Sequence, residues 1–339
     1  MLRLVAGRTF GSPAVDAAGN VYVAAKGGHV YALTRAGELL WQAALPAEAV
    51  GPLALGVGPE GSRLYVTDGA GGLSAFSLTG EQLWRVRSTT GRRASSGPVV
   101  AQDGTVYYTV VTRVEAVAPD GQAVWTSDVL PGQGEVGPRL DVDERWLFVM
   151  DAVLDRQTGR LADFSAVVPP GQAGINAAYI IGGDGKTYLR EGHGVYPWEM
   201  TAEGPRRTGQ ITWNWQAATI FLPYDAGVSG QGRVWLLYGS AWDDLRYVML
   251  SPDSRLLLHL RYPQRSPRVI GLDVAGRAYI CGSDRATVPE CLVISEGMEE
   301  PIWQLGLERG AGIVTGGALT PGRLYVTTEN GYFIAVGEP

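Results

Sequence analysis

The chain has 339 residues and a formal net charge of −6, which argues against a general nucleic-acid binder, since such domains carry a basic face. No apolar run approaches the ~20 residues that a membrane-spanning helix requires. Met1–Phe10 lacks the apolar core and cleavage site of a signal peptide.

From the N-terminus the chain alternates short apolar runs with Gly, Pro, Asp and Asn turns. In the first unit the runs are Ala14–Asp16, Val21–Ala25, Val30–Thr34 and Leu39–Ala43, which read as strands and not helices. The unit opens on Gly11-Ser-Pro, carries Tyr22 in its second run, turns at Gly37 and closes on Trp41. The phrase returns as Gly51-Pro52, Tyr65, Gly80 and Trp84, and again as Gly97-Pro98, Tyr107, Gly121 and Trp125.

The bulky residue of the second strand serves as a ruler along the chain. It falls at Tyr22, Tyr65, Tyr107, Phe148, Tyr188, Trp235, Tyr279 and Tyr325, at intervals of 43, 42, 41, 40, 47, 44 and 46 residues. A fixed period of this length marks an array. Four antiparallel strands per unit, repeated eight times, predict an all-β, eight-bladed β-propeller. A linear β-solenoid would need units nearer ~20 residues and atypical capping ends.

Blades are expected to start near residues 11, 51, 97, 137, 174, 227, 268 and 316, within one domain spanning 1–339 that no linker or charge block divides. The last unit stops after Gly331–Val336, before a fourth strand, and Met1–Gly7 has no other assignment. Leu2–Val5 is therefore expected to complete the eighth blade from outside and remove an exposed edge.

The two cysteines, Cys281 and Cys291, flank a loop in blade seven. Laid onto blade one they fall at Ala24 and His29, facing each other across a hairpin. A disulfide there would contribute about 2–3 kcal/mol and imply an oxidising compartment, the alternative being two buried thiols. Either the protein is cytoplasmic or a leader is absent from this numbering, and the cysteines favour the second option, an extracytoplasmic location.

Val30-Tyr-Ala-Leu with Gly37 and Trp41, and Val153-Leu-Asp-Arg-Gln-Thr-Gly159, resemble the repeats of the quinoprotein-alcohol-dehydrogenase-like propellers, called PQQ-like repeats. The resemblance is strong in blades one to three, fair in four, seven and eight, and weak in five and six. The repeat Trp is absent from blade four, where Leu161 and Phe164 follow the turn, and from blade six, where Leu256–Leu258 follow it.

The family holds enzymes with pyrroloquinoline quinone and calcium, and non-catalytic proteins of the BamB-like type. The resemblance implies blade-packing roles for Trp41, Trp84, Trp125 and Trp303. The enzymes' adjacent cysteine pair is missing here, because Cys281 and Cys291 stand ten residues apart. No cofactor is expected, pyrroloquinoline quinone being the one candidate.

No residue pattern points to catalysis. Asp16, Asp103, Asp120, Asp155 and Asp184 sit at turns, where a short carboxylate bonds its own backbone. His29, His193 and His259 lie in separate blades without metal-ligand spacing. The glycine runs Gly69–Gly72 and Gly182–Gly185 do not open a helix, as a phosphate cradle would.

Loops between blades share one face of a propeller with the loops joining second and third strands. Arg8, Arg87, Arg92, Arg93, Arg265, Arg268 and Arg309 are read as lying in the inter-blade loops. Gathered on one face of an acidic protein, they would steer an anionic partner and pair carboxylates through planar forks. The bland reading is a solvated rim paired with Glu48, Glu135 and Glu308. The connection between blades five and six, with Trp213, Trp215 and Tyr224, and the blade-six loop with Trp242, offer an aromatic interface.

The expected protein is a non-catalytic, protein-binding scaffold of the bacterial cell envelope, a monomer within a larger complex and without a nucleic-acid partner. A ligand-sensing outer domain, such as that of a receptor kinase, is the alternative, and a degenerate quinoprotein enzyme stands third.

Overall fold

The computed structural model describes residues 2–3, 11–58, 61–130, 137–149, 152–162, 178–191, 194–201, 204–212, 222–239, 246–261, 265–283, 288–298, 300–306 and 310–337. They form strands and no helix, arranged as eight antiparallel sheets in chain order. In blade one the strands are Ala14–Val15, Val21–Ala25, His29–Leu33 and Leu39–Ala44, each paired with the next. Six more sheets have at least four strands, and blade four has three, its outer position marked among described residues by a single bridge between Leu154 and Leu161. The fold is an all-β, eight-bladed propeller.

The first strands of blades six, seven and eight begin at Leu222, Arg265 and Val314, ahead of the starts read from the repeat. Leu2–Arg3 pairs antiparallel with the third strand of blade eight, Leu2 opposite Phe333 and Arg3 opposite Tyr332. The chain's two ends therefore share one sheet; Leu4 and Val5 lie outside the described residues. Two compact units emerge, Met1–Ala162 with Thr315–Pro339, and Asp163–Val314. The first holds blades one to four and most of eight, the second blades five to seven.

In the first unit the core lies between blades and not within them. One cluster joins Tyr22, Val30 and Ala32 of blade one to Leu64, Val66 and Phe76 of blade two. Others join blade eight to one, two to three and three to four. A sheet sandwiched between neighbours is apolar on both faces, which is why the second strands read as unbroken buried runs without alternation.

The repeat Trp ties blades one, two and three each to the next. Trp41, Trp84 and Trp125 sit on outer strands, 5.6–6.1 Å from the ring centroids of Tyr22, Tyr65 and Tyr107. Each indole N–H donates to a turn carbonyl of the following blade: Trp41 to Leu78 at 2.8 Å, Trp84 to Pro119 at 2.8 Å, Trp125 to Arg156 at 3.0 Å.

The ring lies flat on that turn's glycine. A Cβ on Gly80, Gly121 or Gly159 would meet the indole at 2.8, 3.0 or 2.5 Å. These glycines also hold φ of +94°, +90° and +68°, so both backbone freedom and empty space demand the residue type. Blade eight ends on the Trp-free Leu2–Arg3, and a Cβ on the matching Gly37 would meet nothing within 4 Å. There the Arg323 guanidinium donates to the equivalent carbonyl, that of Arg35.

The Gly-Pro openings mark where first strands converge. A Cβ on Gly51 would lie 2.3 Å from the Gly97 nitrogen, and one on Gly316 would lie 2.4 Å from Ser12. The buried Thr67 hydroxyl, set between two such loops, lies 2.7 Å from the carbonyl oxygens of both Val50 and Ser96 and can donate to either.

The turn aspartates are engaged locally. Asp16 accepts from the Asn20 N–H at 2.8 Å and the Tyr22 hydroxyl at 2.9 Å. Asp103 and Asp120 each accept from the N–H two residues on, Asp155 from Gln157 and Thr158, and Asp184 from Lys186 and the Tyr188 hydroxyl.

In the second unit the cores again lie between successive blades, five to six and six to seven. The Trp235 N–H, from a second strand, reaches the Gly276 carbonyl of the next blade at 3.2 Å. Cys281 and Cys291 are disulfide-bonded, fully buried register partners with Cα atoms 4.1 Å apart. Their counterparts in blade one are Ala24 and Val30, one residue beyond His29, because Cys291–Ile294 superposes in register on Val30–Leu33.

Candidate functional site

The strongest arrangement of polar groups surrounds the loop from blade two to blade three. The outer strand Gln82–Arg87 leads into it and Val99–Val100 leads out. Both ends are pinned by backbone: the Ser88 N–H donates to Gly71 at 2.7 Å and the Ser95 N–H to Thr109 at 2.9 Å. Ala94 is fully buried in the cluster between the two blades. Between these anchors Gly91 turns the chain at φ +67°, and Arg92 and Arg93 form an exposed crest.

Beneath the crest lies Glu115, in the middle of the third strand of blade three, Arg113–Val117, and 3% exposed. One carboxylate oxygen accepts from the Ser88 and Thr89 hydroxyls at 2.8 and 2.7 Å and from the Thr90 N–H at 3.4 Å. The other accepts from the Tyr108 hydroxyl at 2.6 Å. Burial first, and the Glu115 hydrogen bond second, push the Tyr108 phenol far up, so it remains a proton donor across the physiological range. A buried carboxylate is costly unless its lone pairs are filled, and four donors fill them here.

Asp68 does the same work on the adjoining blade-two loop. It is fully buried, pairs with Arg85 at 2.8 Å and accepts from the N–H groups of Ala70 and Gly72, each at 2.9 Å. The loop it shapes presses against the crest: a Cβ on Gly71 would stand 2.1 Å from the Arg92 carbonyl oxygen. Asp68 and Glu115 are thus consumed internally. Among the described residues no carboxylate pairs with Arg87, Arg92 or Arg93.

The other arginines are placed differently. Arg265 and Arg268 lie within the first strand of blade seven, Arg265–Leu272, and not in an inter-blade loop. That strand runs on past Pro267 because two bulges absorb the irregularity. Arg268 is exposed there. Arg8 and Arg309 lie outside the described residues, as do Trp213, Trp215 and Trp242. The backbone of Tyr224 sits at a bulge in Leu222–Val228. Trp303 opens the outer strand of blade seven, partly buried opposite Val293. His29 starts a third strand and its Nδ1 faces the Gly27 carbonyl at 3.0 Å.

Among the described residues no three His, Cys, Asp or Glu side chains converge as a metal site, and no helix is long and apolar enough to cross a membrane. Glu115 and Asp68 go unnoticed in the sequence reading. The available signal was a lone acid inside the apolar run Arg113-Val-Glu-Ala-Val117.

Fold and repeat define an eight-bladed propeller of PQQ-like repeats. Residues 4–110 match the family described as outer membrane protein assembly factor BamB. BamB from Moraxella catarrhalis superposes with a TM-score of 0.66 at 17% identity, over 99% of this chain and 98% of that one. The fold is therefore BamB-like along its length.

Two enzymes share the architecture. An inactive variant of virginiamycin B lyase from Staphylococcus aureus, solved with quinupristin, superposes with a TM-score of 0.55 at 11% identity, over 100% and 98% of the two chains. Dihydro-heme d1 dehydrogenase NirN, in complex with DHE, gives 0.60 at 13%, over 89% of this chain and 67% of that one. No curated protein matches by sequence.

Proposed function

We propose that this chain is a non-catalytic scaffold of the bacterial cell envelope, which binds a protein partner through its arginine-bearing loops and acts as one eight-bladed module of a larger complex. The observation that carries the reading is the Arg92–Arg93 crest, anchored on both sides by backbone hydrogen bonds and without a carboxylate partner among the described residues, in a chain whose net charge is −6. Such a crest makes a local positive field on an acidic body, which steers association and selects carboxylates.

The BamB match over residues 4–110 supports an envelope role, BamB being named for outer-membrane protein assembly. The buried disulfide supports an oxidising, extracytoplasmic location. The engagement of Asp16, Asp103, Asp120, Asp155 and Asp184 in their own turns supports a scaffold over an enzyme, since each carboxylate already serves backbone or neighbouring donors. Arg8, Arg265, Arg268 and Arg309, and the aromatic residues Trp213, Trp215, Tyr224 and Trp242, are proposed as further partner contacts.

Affinity capture from native envelope extract tests this, with the wild-type chain beside a variant carrying Arg92, Arg93, Arg265 and Arg268 changed to Glu. A protein held by the first bait and lost by the second is the expected result. If neither bait retains a specific protein while a small polycarboxylate raises the melting temperature of the wild type alone, the chain is a ligand sensor and the scaffold reading fails.

A further inference from the structure

We infer that Glu115 is the positioning residue of a preformed recognition loop, Ser88–Arg93, whose partner is a carboxylate-rich segment of another protein. The inference rests on the scaffold reading and narrows it to one loop, one internal anchor and one ligand chemistry.

A buried, charged side chain in mid-strand needs a reason. Glu115 occupies the register position taken by Tyr31 in blade one and Ser74 in blade two, neither of them acidic. Among the described residues, its hydrogen bonds outside its own blade go to three consecutive residues of the blade-two exit, Ser88, Thr89 and Thr90. The Thr90 hydroxyl in turn lies 3.4 Å from the Arg92 N–H, so the network ends at the crest. Gly71 stacks under the Arg92 carbonyl and leaves the loop no inward path. The arginines thus meet their ligand with the backbone already ordered, which lowers the entropic cost of binding.

Ligand chemistry follows from charge and size. Arginine forks pair carboxylates in plane. The crest is only two residues wide, with Arg87 at its base, whereas anionic bilayers are recognised by clusters of about 4–8 basic residues. The net charge of −6 opposes broad adsorption to such a surface.

The experiment uses the full chain with a labelled decaglutamate peptide as probe, followed by anisotropy, and amide hydrogen exchange of residues 88–93. Arg92→Glu with Arg93→Glu should weaken peptide binding at least about ten-fold, while the exposed pair Arg206→Glu with Arg255→Glu should stay within about two-fold. Glu115→Gln keeps the volume but puts an amide where hydroxyls donate. It should speed exchange at 88–93 about ten-fold and weaken the peptide about three-fold or more. Tyr108→Phe should act in the same direction, more weakly, and serves if the first variant does not fold.

Unchanged exchange or unchanged affinity in both anchor variants overturns the inference. So does loss of binding in the Arg206/Arg255 pair alone, or binding to phosphatidylglycerol vesicles in place of the peptide. Envelope capture by the wild type is read separately, so the scaffold reading can survive any of these failures.

Discussion

Blades one to four hold one another by a contact repeated almost unchanged, whereas blades five to seven reach the same architecture without it. In the first group an outer-strand indole lies on the next blade's glycine and donates to the carbonyl beside it. In the second, Trp235 donates from an inner position to Gly276, and long first strands pack side by side, with a Cβ on Gly227 meeting Leu272 at 3.3 Å. Blade seven adds a disulfide. A blade therefore needs a donor to its neighbour and a filled gap, and the Trp–Gly pair is one solution among several. Arg323, which replaces the indole between blades eight and one, is another.

The largest expected effect tests the first solution. Trp84→Ala removes the indole from Gly121 and takes one donor from the Pro119 carbonyl, which keeps the Arg63 guanidinium at 2.6 Å. Destabilisation of about 3–5 kcal/mol is expected from the cavity and lost burial, measured as a shift in the urea midpoint. A loss under about 1 kcal/mol would mean that the Trp is ornamental and that the two regions do not differ as argued. For the second region, Cys281→Ala with Cys291→Ala should cost about 2–3 kcal/mol through the freed loop. Dithiothreitol should lower the wild-type midpoint to match and leave the double variant unmoved.

What the sequence made legible follows from the same contrast. Period, blade number and N-terminal closure were readable because Tyr22, Trp41, Gly37 and their copies recur where one contact recurs. Blades five to seven give weaker signals because their ties use unrelated residues, and Arg265 and Arg268 read as inter-blade loop where bulges keep them in a strand. For the candidate site, Arg92 and Arg93 stood out as adjacent charges in a polar loop. Glu115 did not, since its meaning depends on Ser88 and Thr89, more than 20 residues away and brought near only by blade packing.

A smaller effect separates space from backbone strain at the repeat glycines. Gly80 and Gly37 share nearly the same φ, +94° and +90°, yet only Gly80 faces an indole. Gly37→Ala should cost about 1–2 kcal/mol from its left-handed backbone alone. Gly80→Ala should cost about 1–3 kcal/mol more, because its Cβ would lie 2.8 Å from Trp41. Equal losses would show that the Trp–Gly contact is slack and the glycine serves only the turn.

The subtlest test is acid, where two turn aspartates of the first unit should respond with opposite sign. Burial pushes the Asp16 carboxyl up, but hydrogen bonds from the Asn20 side chain and backbone and from Tyr22 outweigh it and hold the group low. Its folded pKa lies below the unfolded one, so its stabilisation is present above about pH 4 and lost as pH falls through the folded value. At Asp141 burial wins over the N–H bonds from Trp146 and Arg145 and raises the carboxyl. There the folded state holds its proton longer, and the charge costs stability as pH rises through the raised value. Asp141→Asn keeps an acceptor for the Trp146 N–H and drops the charge, so the midpoint at pH 7 should hold or rise slightly. Asp16→Asn puts an amide where Asn20 and Tyr22 donate, so the midpoint at pH 7 should fall and the loss of stability between pH 5 and 3 should shrink. Thermal melts of both variants across pH 3–7 decide it: parallel curves would mean that the two turns share one electrostatic environment, against the geometry that separates them.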